Sequence, residues 1–495
     1  MNGSMIRYIL GYVLKLEGAL LLLPCLIALI YGEKEGIYYL LIAVITAALG
    51  FLLSYKKPKS QVFYLKEGCV ATSLSWIVLS LFGCVPLCLT GEAPSFVDAL
   101  FEIVSGFTTT GASILPGVEQ LCHATLMWRS FTHWIGGMGV LVFLLAVVPL
   151  SGGSHINLMR AESPGPSVGK LVPKIKASAR ILYIIYMGLT AAEFLFLVLG
   201  RMSVFEAINT SFATAGTGGF GFRNDSFASF SPYLQWVVTI FMILFGVNFN
   251  AYYLVLYRKF KKALIIEEIR YYFIIIGIAV AFITVSLIRS SVEAFSALTQ
   301  ASFQVASIIT TTGFSTADFD TWSQSCRMIL VLLMFIGACA GSTGGGIKVS
   351  RIVVMVKTVK KELNSFIHPK SVKKIKMDGN PLEHEVLRSI NVFRISYILD
   401  LVLSMLIVSL EGYDLVTDFT AVAATINNIG PGLALVGPTQ NFGFLNAVSK
   451  IVLIFDMLAG RLELFPLLIL FHPGMWRETF EQKKKHRSWY KENKA

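Results

Sequence analysis

One pattern occurs four times along this chain and limits its fold more than any other feature. An apolar run long enough to cross a bilayer is followed by a shorter, half-polar segment, then a Gly/Thr-rich loop, then a second apolar run. A spanning helix takes ~20 residues. The first runs lie near residues 68–89, 179–200, 271–289 and 389–410. The second lie near 127–150, 233–257, 325–357 and 445–471. The half-polar segments between them are Val97–Phe107, Val204–Thr214, Ala294–Ile308 and Leu415–Thr425. They are too short to span. Non-helical backbone at membrane depth is tolerated only inside protein or beside water, so the loops are expected to turn inward to a common axis.

Two more apolar runs, roughly Tyr8–Tyr31 and Ile37–Tyr55, precede the pattern. The first has no small-residue cleavage site and leads straight into the second, so it reads as a retained helix. Only 15% of the 495 residues are charged and 55% are hydrophobic, where a soluble protein is nearer a quarter charged. The expected fold is an all-α integral membrane protein. Four pseudo-symmetric helix–pore loop–helix repeats would surround one pore, with two extra N-terminal helices. The divisions expected are 1–62 for the extra helices, then units at 63–165, 166–265, 266–378 and 379–495, the last including a tail.

Aligned on one glycine each, the loops read Phe107-Thr-Thr-Thr-Gly111-Ala-Ser, Ala215-Gly-Thr-Gly-Gly219-Phe-Gly, Ile309-Thr-Thr-Thr-Gly313-Phe-Ser and Ile426-Asn-Asn-Ile-Gly430-Pro-Gly. Six residues before each glycine stands a small residue: Ser105, Ala213, Ser307 or Ala424. One such loop permits a tight turn or close helix packing and no more. Four at the same place in the pattern imply an internal repeat.

The net charge is +12. With the N-terminus in the cytoplasm, the segments on that side are Lys56–Lys66, Arg160–Arg180, Arg258–Arg270, Lys357–Lys376 and the tail with Lys483, Lys484 and Lys485, all rich in basic residues. The other side carries Glu33, Glu35, Glu92, Asp98, Glu119, Asp225, Asp318 and Asp414. This satisfies the positive-inside rule and puts the mouths of all four loops outside. The basic charge points to a lipid bilayer and not to nucleic acid. Seven cysteines without paired spacing, among them Cys25 and Cys339 in apolar runs, argue against a disulfide framework or zinc site.

A glycine-centred loop of this kind suits a dehydrating cation. A potassium ion that sheds water needs oxygen ligands, and rings of inward backbone carbonyls supply them. Pointing successive carbonyls one way demands backbone angles that glycine tolerates best. The candidate ion-binding residues are Thr109, Thr110 and Gly111; Gly218 and Gly219; Thr311, Thr312 and Gly313; and Asn428, Ile429 and Gly430. Loops two and four lack the threonine run, yet carbonyl chemistry needs no particular side chain. The helices before the loops would aim their negative C-terminal ends at the cation.

The second run of unit three holds five glycines between 337 and 346. Glycine costs ~1 kcal/mol in a helix interior, so helix should not persist there. The stretch reads as a gate crossing the path, with Gly341, Gly344, Gly345 and Gly346 as its residues. A kink is the plainer alternative. A phosphate-binding GxxxxGK[ST] loop is excluded, because Ile347 follows Gly346. Arg461 lies deep in the last apolar run, with Asp456 and Glu463 near enough in sequence to pair with it. It would alternatively hold gate-loop carbonyls or set a barrier to cations. Glu193 reads as a packing partner for a polar neighbour, and Asn248 and Asn250 as candidates to line an inner cavity.

The motifs Ala99-Leu-Phe-Glu102-Ile-Val-Ser-Gly-Phe-Thr-Thr-Thr-Gly111-Ala, His133-Trp-Ile-Gly-Gly-Met-Gly139, Gly341-Ser-Thr-Gly-Gly-Gly346, Asn427-Asn-Ile-Gly-Pro-Gly432 and Gly460-Arg-Leu-Glu463 resemble the TrkH branch of the Trk/Ktr/HKT potassium transporter superfamily. The likeness covers essentially the whole chain, and the two extra N-terminal helices favour TrkH over the shorter KtrB type. It implies that Gly111, Gly219, Gly313 and Gly430 are filter glycines, that 341–346 is an intramembrane gating loop, and that Arg461 is a pore arginine. It further implies a homodimer with one pore per protomer, a cytoplasmic nucleotide-binding TrkA ring and residence in the bacterial inner membrane. A serine in place of a filter glycine goes with sodium transport in plant relatives. None of the four is altered here, which favours potassium.

Potassium, as the transported ion, would be the sole cofactor; no organic one is expected. A symporter coupled to sodium or protons is the alternative, with Glu193 and Asp456 as candidate coupling acids. An enzyme is disfavoured: the His residues at 123, 133, 155, 368, 384, 472 and 486 form no metal-spaced pair, and no nucleophile elbow appears.

Overall fold

A computed structural model describes residues 2–58, 64–139, 175–370 and 373–475. The expected helix from 140 to 150, residues 160–174 of the basic segment Arg160–Arg180, His155, His486 and the tail with Lys483–Lys485 lie outside the described residues.

The chain opens with α1 (Gly3–Leu20), α2 (Leu22–Tyr31) and α3 (Gly36–Ser54). Then come α4 (Leu65–Gly83), α5 (Val85–Thr90), the short α6 (Phe96–Phe107) and α7 (His123–Met138). The next group is α8 (Ile175–Leu199), the short α9 (Val204–Gly216), α10 (Pro232–Phe245), α11 (Phe249–Leu256) and α12 (Phe260–Ile265). A third follows with α13 (Glu267–Arg289), the short α14 (Ala294–Ile309), α15 (Gln324–Ile336) and α16 (Val349–Ile367). A two-stranded hairpin, β1 (Lys376–Met377) and β2 (Asn380–Pro381), leads to the last group. This comprises α17 (His384–Val408), the short α18 (Leu415–Ile426), α19 (Ala447–Arg461) and α20 (Phe465–Leu468).

Burial runs inside out compared with a soluble protein. The short helices are central: Ala99, Phe101 and Phe107 of α6 and Ala297, Val305 and Ile308 of α14 are fully buried. The long helices around them expose Ile274, Ile278, Phe282, Leu399, Leu403 and Leu406. Meanwhile Thr108, Thr109, Thr110, Thr310, Thr311 and Thr312 are wholly enclosed. An apolar exterior around a polar interior is what hydrocarbon solvent selects. Among the described residues six helices are long and apolar enough to span, or seven if one bent pair counts as a span.

Lipid supplies no hydrophobic drive between helices, so close backbone packing must hold them. The α1–α3 contact illustrates this. A Cβ built on Gly50 would stand 2.7 Å from Gly11 O, and one on Gly18 would stand 2.8 Å from Ala43 O. Both neighbours are backbone and cannot give way.

The second long helices break in more places than the one expected in unit three. Unit three breaks at 337–348, as the glycines indicate. Unit two breaks as well: α10 and α11 meet at 91°. Asn248 causes a fresh helix start there, its Oδ1 accepting the Asn250 N–H at 2.9 Å. Unit four ends its helix at Arg461 and turns through Glu463 and Leu464, both with positive φ. In unit one the described helix stops before Gly139, φ 82°. Lengthening the side chain at the α1–α3 contact should be destabilising. Gly50→Leu is expected to cost about 1–3 kcal/mol and lower the Tm in detergent by several degrees. Leu41→Ala, on the exposed face of α3, should leave it nearly unchanged. Equal Tm values for both would contradict this packing.

Candidate functional site

The four short helices end alike. The residue one before each loop glycine donates its N–H to the small residue five positions earlier: Thr110 to Ser105 O at 2.8 Å, Gly218 to Ala213 O at 2.9 Å, Thr312 to Ser307 O at 2.8 Å and Ile429 to Ala424 O at 2.9 Å. The residue two before each glycine closes a second bond: Thr109 to Gly106 O, Thr217 to Thr214 O, Thr311 to Ile308 O and Asn428 to Thr425 O. This paired pattern is the Schellman helix end, which requires a left-handed residue. Here Thr109, Thr217, Thr311 and Asn428 take φ of 58°, 54°, 60° and 56°. Threonine resists that region, at a cost of about 1–3 kcal/mol each. The small residue at the sixth position back supplies the carbonyl that receives the longer bond.

The glycines are left-handed too, with φ of 79°, 81°, 87° and 94° at Gly111, Gly219, Gly313 and Gly430. Each loop thus alternates left-handed residues two positions apart. The loops also interlock. A Cβ built on Gly111 would stand 1.9 Å from Gly218 O, on Gly219 1.9 Å from Thr312 O, on Gly313 2.1 Å from Ile429 O, and on Gly430 2.9 Å from Thr110 O. Each glycine therefore faces the carbonyl that precedes the next glycine, and the chain of contacts closes after four steps. The seam from loop four to loop one is the widest. It is bridged by the Asn428 amide, which donates to Thr110 Oγ1 and Met457 O, each at 2.9 Å.

All eleven residues expected at the site lie in these loops. Thr217, which belongs with them by conformation, was not among those expected, because its neighbouring glycines drew the assignment to Gly218. A cavity of about 150 Å³ opens above the ring and touches all four glycines.

Buried polar groups brace the ring from behind. Arg129 on α7 donates Nε to Glu102 Oε1 at 2.8 Å and Nη1 to Gly221 O at 3.3 Å, and stacks over Phe220. Glu102 Oε2 accepts the Ile114 N–H at 3.0 Å. His133 joins Gly106 O, at 2.8 Å from Nδ1, to the Phe220 N–H, at 3.2 Å from Nε2. Farther out, adjacent loops are clasped in order. Val118 N–H donates to Asn224 Oδ1, Phe227 N–H to Ser315 O, Ala434 N–H to Asp320 Oδ2, and Phe442 N–H to Ser113 O. The buried Lys450–Asp98 pair, at 2.6 Å, also ties unit four to unit one. Sequence reading assigned no role to Arg129, Glu102 or His133. Their signal was polar character on otherwise buried helices.

The loop 337–348 lies directly beneath. Gly345 N–H donates to Thr311 Oγ1 at 2.6 Å and Gly346 N–H to Asn427 O at 3.1 Å. Its other side is held by the broken helix of unit two: Cys339 N–H donates to Gly246 O, Thr343 Oγ1 to Phe245 O, and Phe249 N–H to Gly341 O. The bend at 246–248 frees these carbonyls and the loop takes them up. Asn248 packs against Gly341.

Arg461 reaches the same loop. Its Nη1 donates to Thr343 O at 3.0 Å, and its Nη2 donates to Gly136 O and Gly137 O at the end of α7. Glu463 pairs instead with Arg351, and Asp456 Oδ1 accepts from Ser404 at 2.7 Å. Glu193 is buried beside Thr214 of α9. Gly341, Gly344, Lys348, Arg461 and Glu463 line a cavity of about 90 Å³. Lys348, absent from the sequence expectations, donates its Nζ to Gly344 O.

Known proteins are similar to this chain in sequence and in fold. The TrkH family model, described as a cation transport protein, matches residues 38–482. The Trk system potassium uptake protein TrkH of Escherichia coli K12 is 37% identical, with 97% of this chain and all of that protein covered. TrkG of the same organism is 34% identical, with 96% of this chain and all of that protein covered. The crystal structure of the potassium transporter TrkH from Vibrio parahaemolyticus superposes with a TM-score of 0.87 at 34% identity, covering 96% of this chain and all of that one. The chain belongs to the TrkH cation transport family.

Proposed function

We propose that this chain is the potassium-translocating pore subunit of a Trk-type uptake system. The observation that carries the reading is the closed ring in which each loop glycine faces the carbonyl of the next loop. Alternating left-handed residues turn successive carbonyls toward one side, which is how a filter replaces a hydration shell. Thr110, Gly218, Thr312 and Ile429 supply one layer of oxygens, and the glycines leave room for it. Four pore units at 63–165, 166–265, 266–378 and 379–495 surround one path, and 1–62 flanks them.

The loop 337–348 is the gate. It spans the inner side of the ring, and Arg461 and Lys348 place two cations where an ion would leave. Arg461 fixes Thr343 O against the α7 end, so it acts as a strut and as an electrostatic barrier together. Opening requires the loop to withdraw from Thr311, Asn427 and Arg461. Potassium then moves inward down the membrane potential, worth about 2.3 kcal/mol per charge per 100 mV.

The basic segments favour cytoplasmic termini and an inner-membrane location. Membership of a Trk system also supports a homodimer controlled by a cytoplasmic nucleotide-binding ring of the TrkA type.

Three outcomes test the reading in proteoliposomes. Gly313→Ser should lower potassium-over-sodium selectivity by tenfold or more. Gly430→Ser, with about 1 Å more room for its Cβ, should lower it least among the four glycine substitutions. Unchanged selectivity in Gly313→Ser would sink the filter assignment. Deleting Gly344–Gly346 should raise basal potassium flux several-fold; flux that stays low would sink the gate.

A further inference from the structure

Two points along the gate loop matter, Ala340 within it and Ser350 in the first turn of the following α16. Both are held by one side chain. Glu268 Oε1 accepts the Ala340 N–H at 2.6 Å and the Ser350 N–H at 3.0 Å. The carboxylate is buried, with 3% of Glu268 exposed. Removing the acceptor would leave two enclosed N–H groups unsatisfied. Glu268 thereby ties the interior of the loop to the start of α16.

Glu268 stands in the first turn of α13, one residue from a second junction. The Glu267 N–H donates to Asp378 Oδ1 at 2.7 Å, so the tip of the β1–β2 hairpin caps this helix. Lys357 of α16 pairs with Glu267 and donates to Lys376 O at 2.8 Å. The hairpin is exposed, and it lies on the face assigned above to the cytoplasm. A pull on the hairpin therefore reaches the latch through one helical turn.

We propose that Glu268 is the latch of the gate loop, a positioning residue that pins the loop at Ala340 to the start of α16 at Ser350, and that the 376–381 hairpin is the lever acting on it. The inference rests on the gate reading of 337–348. It adds the side chain that keeps the loop shut and the surface through which a cytoplasmic partner would release it. Glu268 makes no contact with the glycine ring, so it sets when ions pass and not which ions.

Purified full-length chain in proteoliposomes, without a cytoplasmic partner, provides the test. Glu268→Ala should raise potassium flux several-fold with potassium-over-sodium selectivity unchanged. Glu268→Asp, too short to reach both N–H groups, should do the same, which guards against misfolding of the alanine variant. Glu268→Gln keeps an oxygen acceptor and should stay close to the parent. Cys339, fully buried beside Ala340, reports the loop directly. In a chain whose other six cysteines are replaced, Glu268→Ala should speed its modification by a water-soluble thiol reagent several-fold. Asp378→Ala should raise flux above the parent but less than Glu268→Ala.

If Glu268→Ala and Glu268→Asp match the parent in flux and in Cys339 labelling while the Gly344–Gly346 deletion still conducts more, the latch fails and the gate stands. If the deletion is also silent, the gate reading fails and takes the latch with it. A Glu268→Gln variant as leaky as Glu268→Ala would show that charge, not acceptor geometry, holds the loop, and would overturn the proposal. An Asp378→Ala variant equal to the parent would remove the hairpin from the device.

Discussion

Four carbonyl groups, those of Thr110, Gly218, Thr312 and Ile429, each press against a residue that has no Cβ. The contact is too close for any other side chain, and it must be made four times around a closed circle. Much of the remaining structure follows from this demand. The short helices must end at one depth. Their last turns must release the chain through a left-handed residue. The long helices must then cross close behind, and for this they too use glycine: a Cβ on Gly136 would stand 1.9 Å from Phe107 O, and one on Gly460 2.1 Å from Ile426 O.

Holding strained loops in place calls for groups that are costly to bury. Arg129 and Glu102 form an ion pair with almost no solvent access. Its desolvation offsets much of its Coulomb energy, so its value here is geometric: it fixes loop one against Gly221 and Phe220 of loop two. The widest seam, between loops four and one, is bridged by Asn428 and by the Lys450–Asp98 pair. The ring is thus chemically uneven although its backbone is nearly fourfold. The same economy appears beneath it, where the carbonyls freed by the bend at Gly246 become the seats of the loop 337–348.

The short helices were legible because a half-polar stretch of about twelve residues between long apolar runs fits little else. Their ends fall within one or two residues of those expected. The glycine positions were legible for the same reason, since a residue needed at positive φ in all four loops leaves a common mark. The second left-handed position was not. Threonine or asparagine occupies it, and neither announces that angle; only the surrounding hydrogen bonds enforce it. The bend in unit two was hidden because Gly246 stands alone and Asn248, with Asn250, reads as a polar residue lining a cavity along a continuous helix. Unit three declared its break through five glycines. Arg461 was found by its cost in a bilayer, and of the two readings left open for it, pairing with Asp456 or Glu463 or holding loop carbonyls, its bond to Thr343 O fits the second. The turn after Arg461 sends Glu463 to Arg351, a residue more than a hundred positions away in sequence. Glu268 lies within the basic segment Arg258–Arg270, where no motif or spacing singles it out.

The central claim is that the carbonyl ring itself binds the dehydrated ion. Anomalous diffraction from crystals of the chain soaked in thallium or rubidium tests it most directly. The account predicts an anomalous peak on the pore axis, surrounded by the carbonyls of Thr110, Gly218, Thr312 and Ile429. An empty axis, with the peak at the buried carboxylate of Glu193 or Asp456 instead, would contradict it.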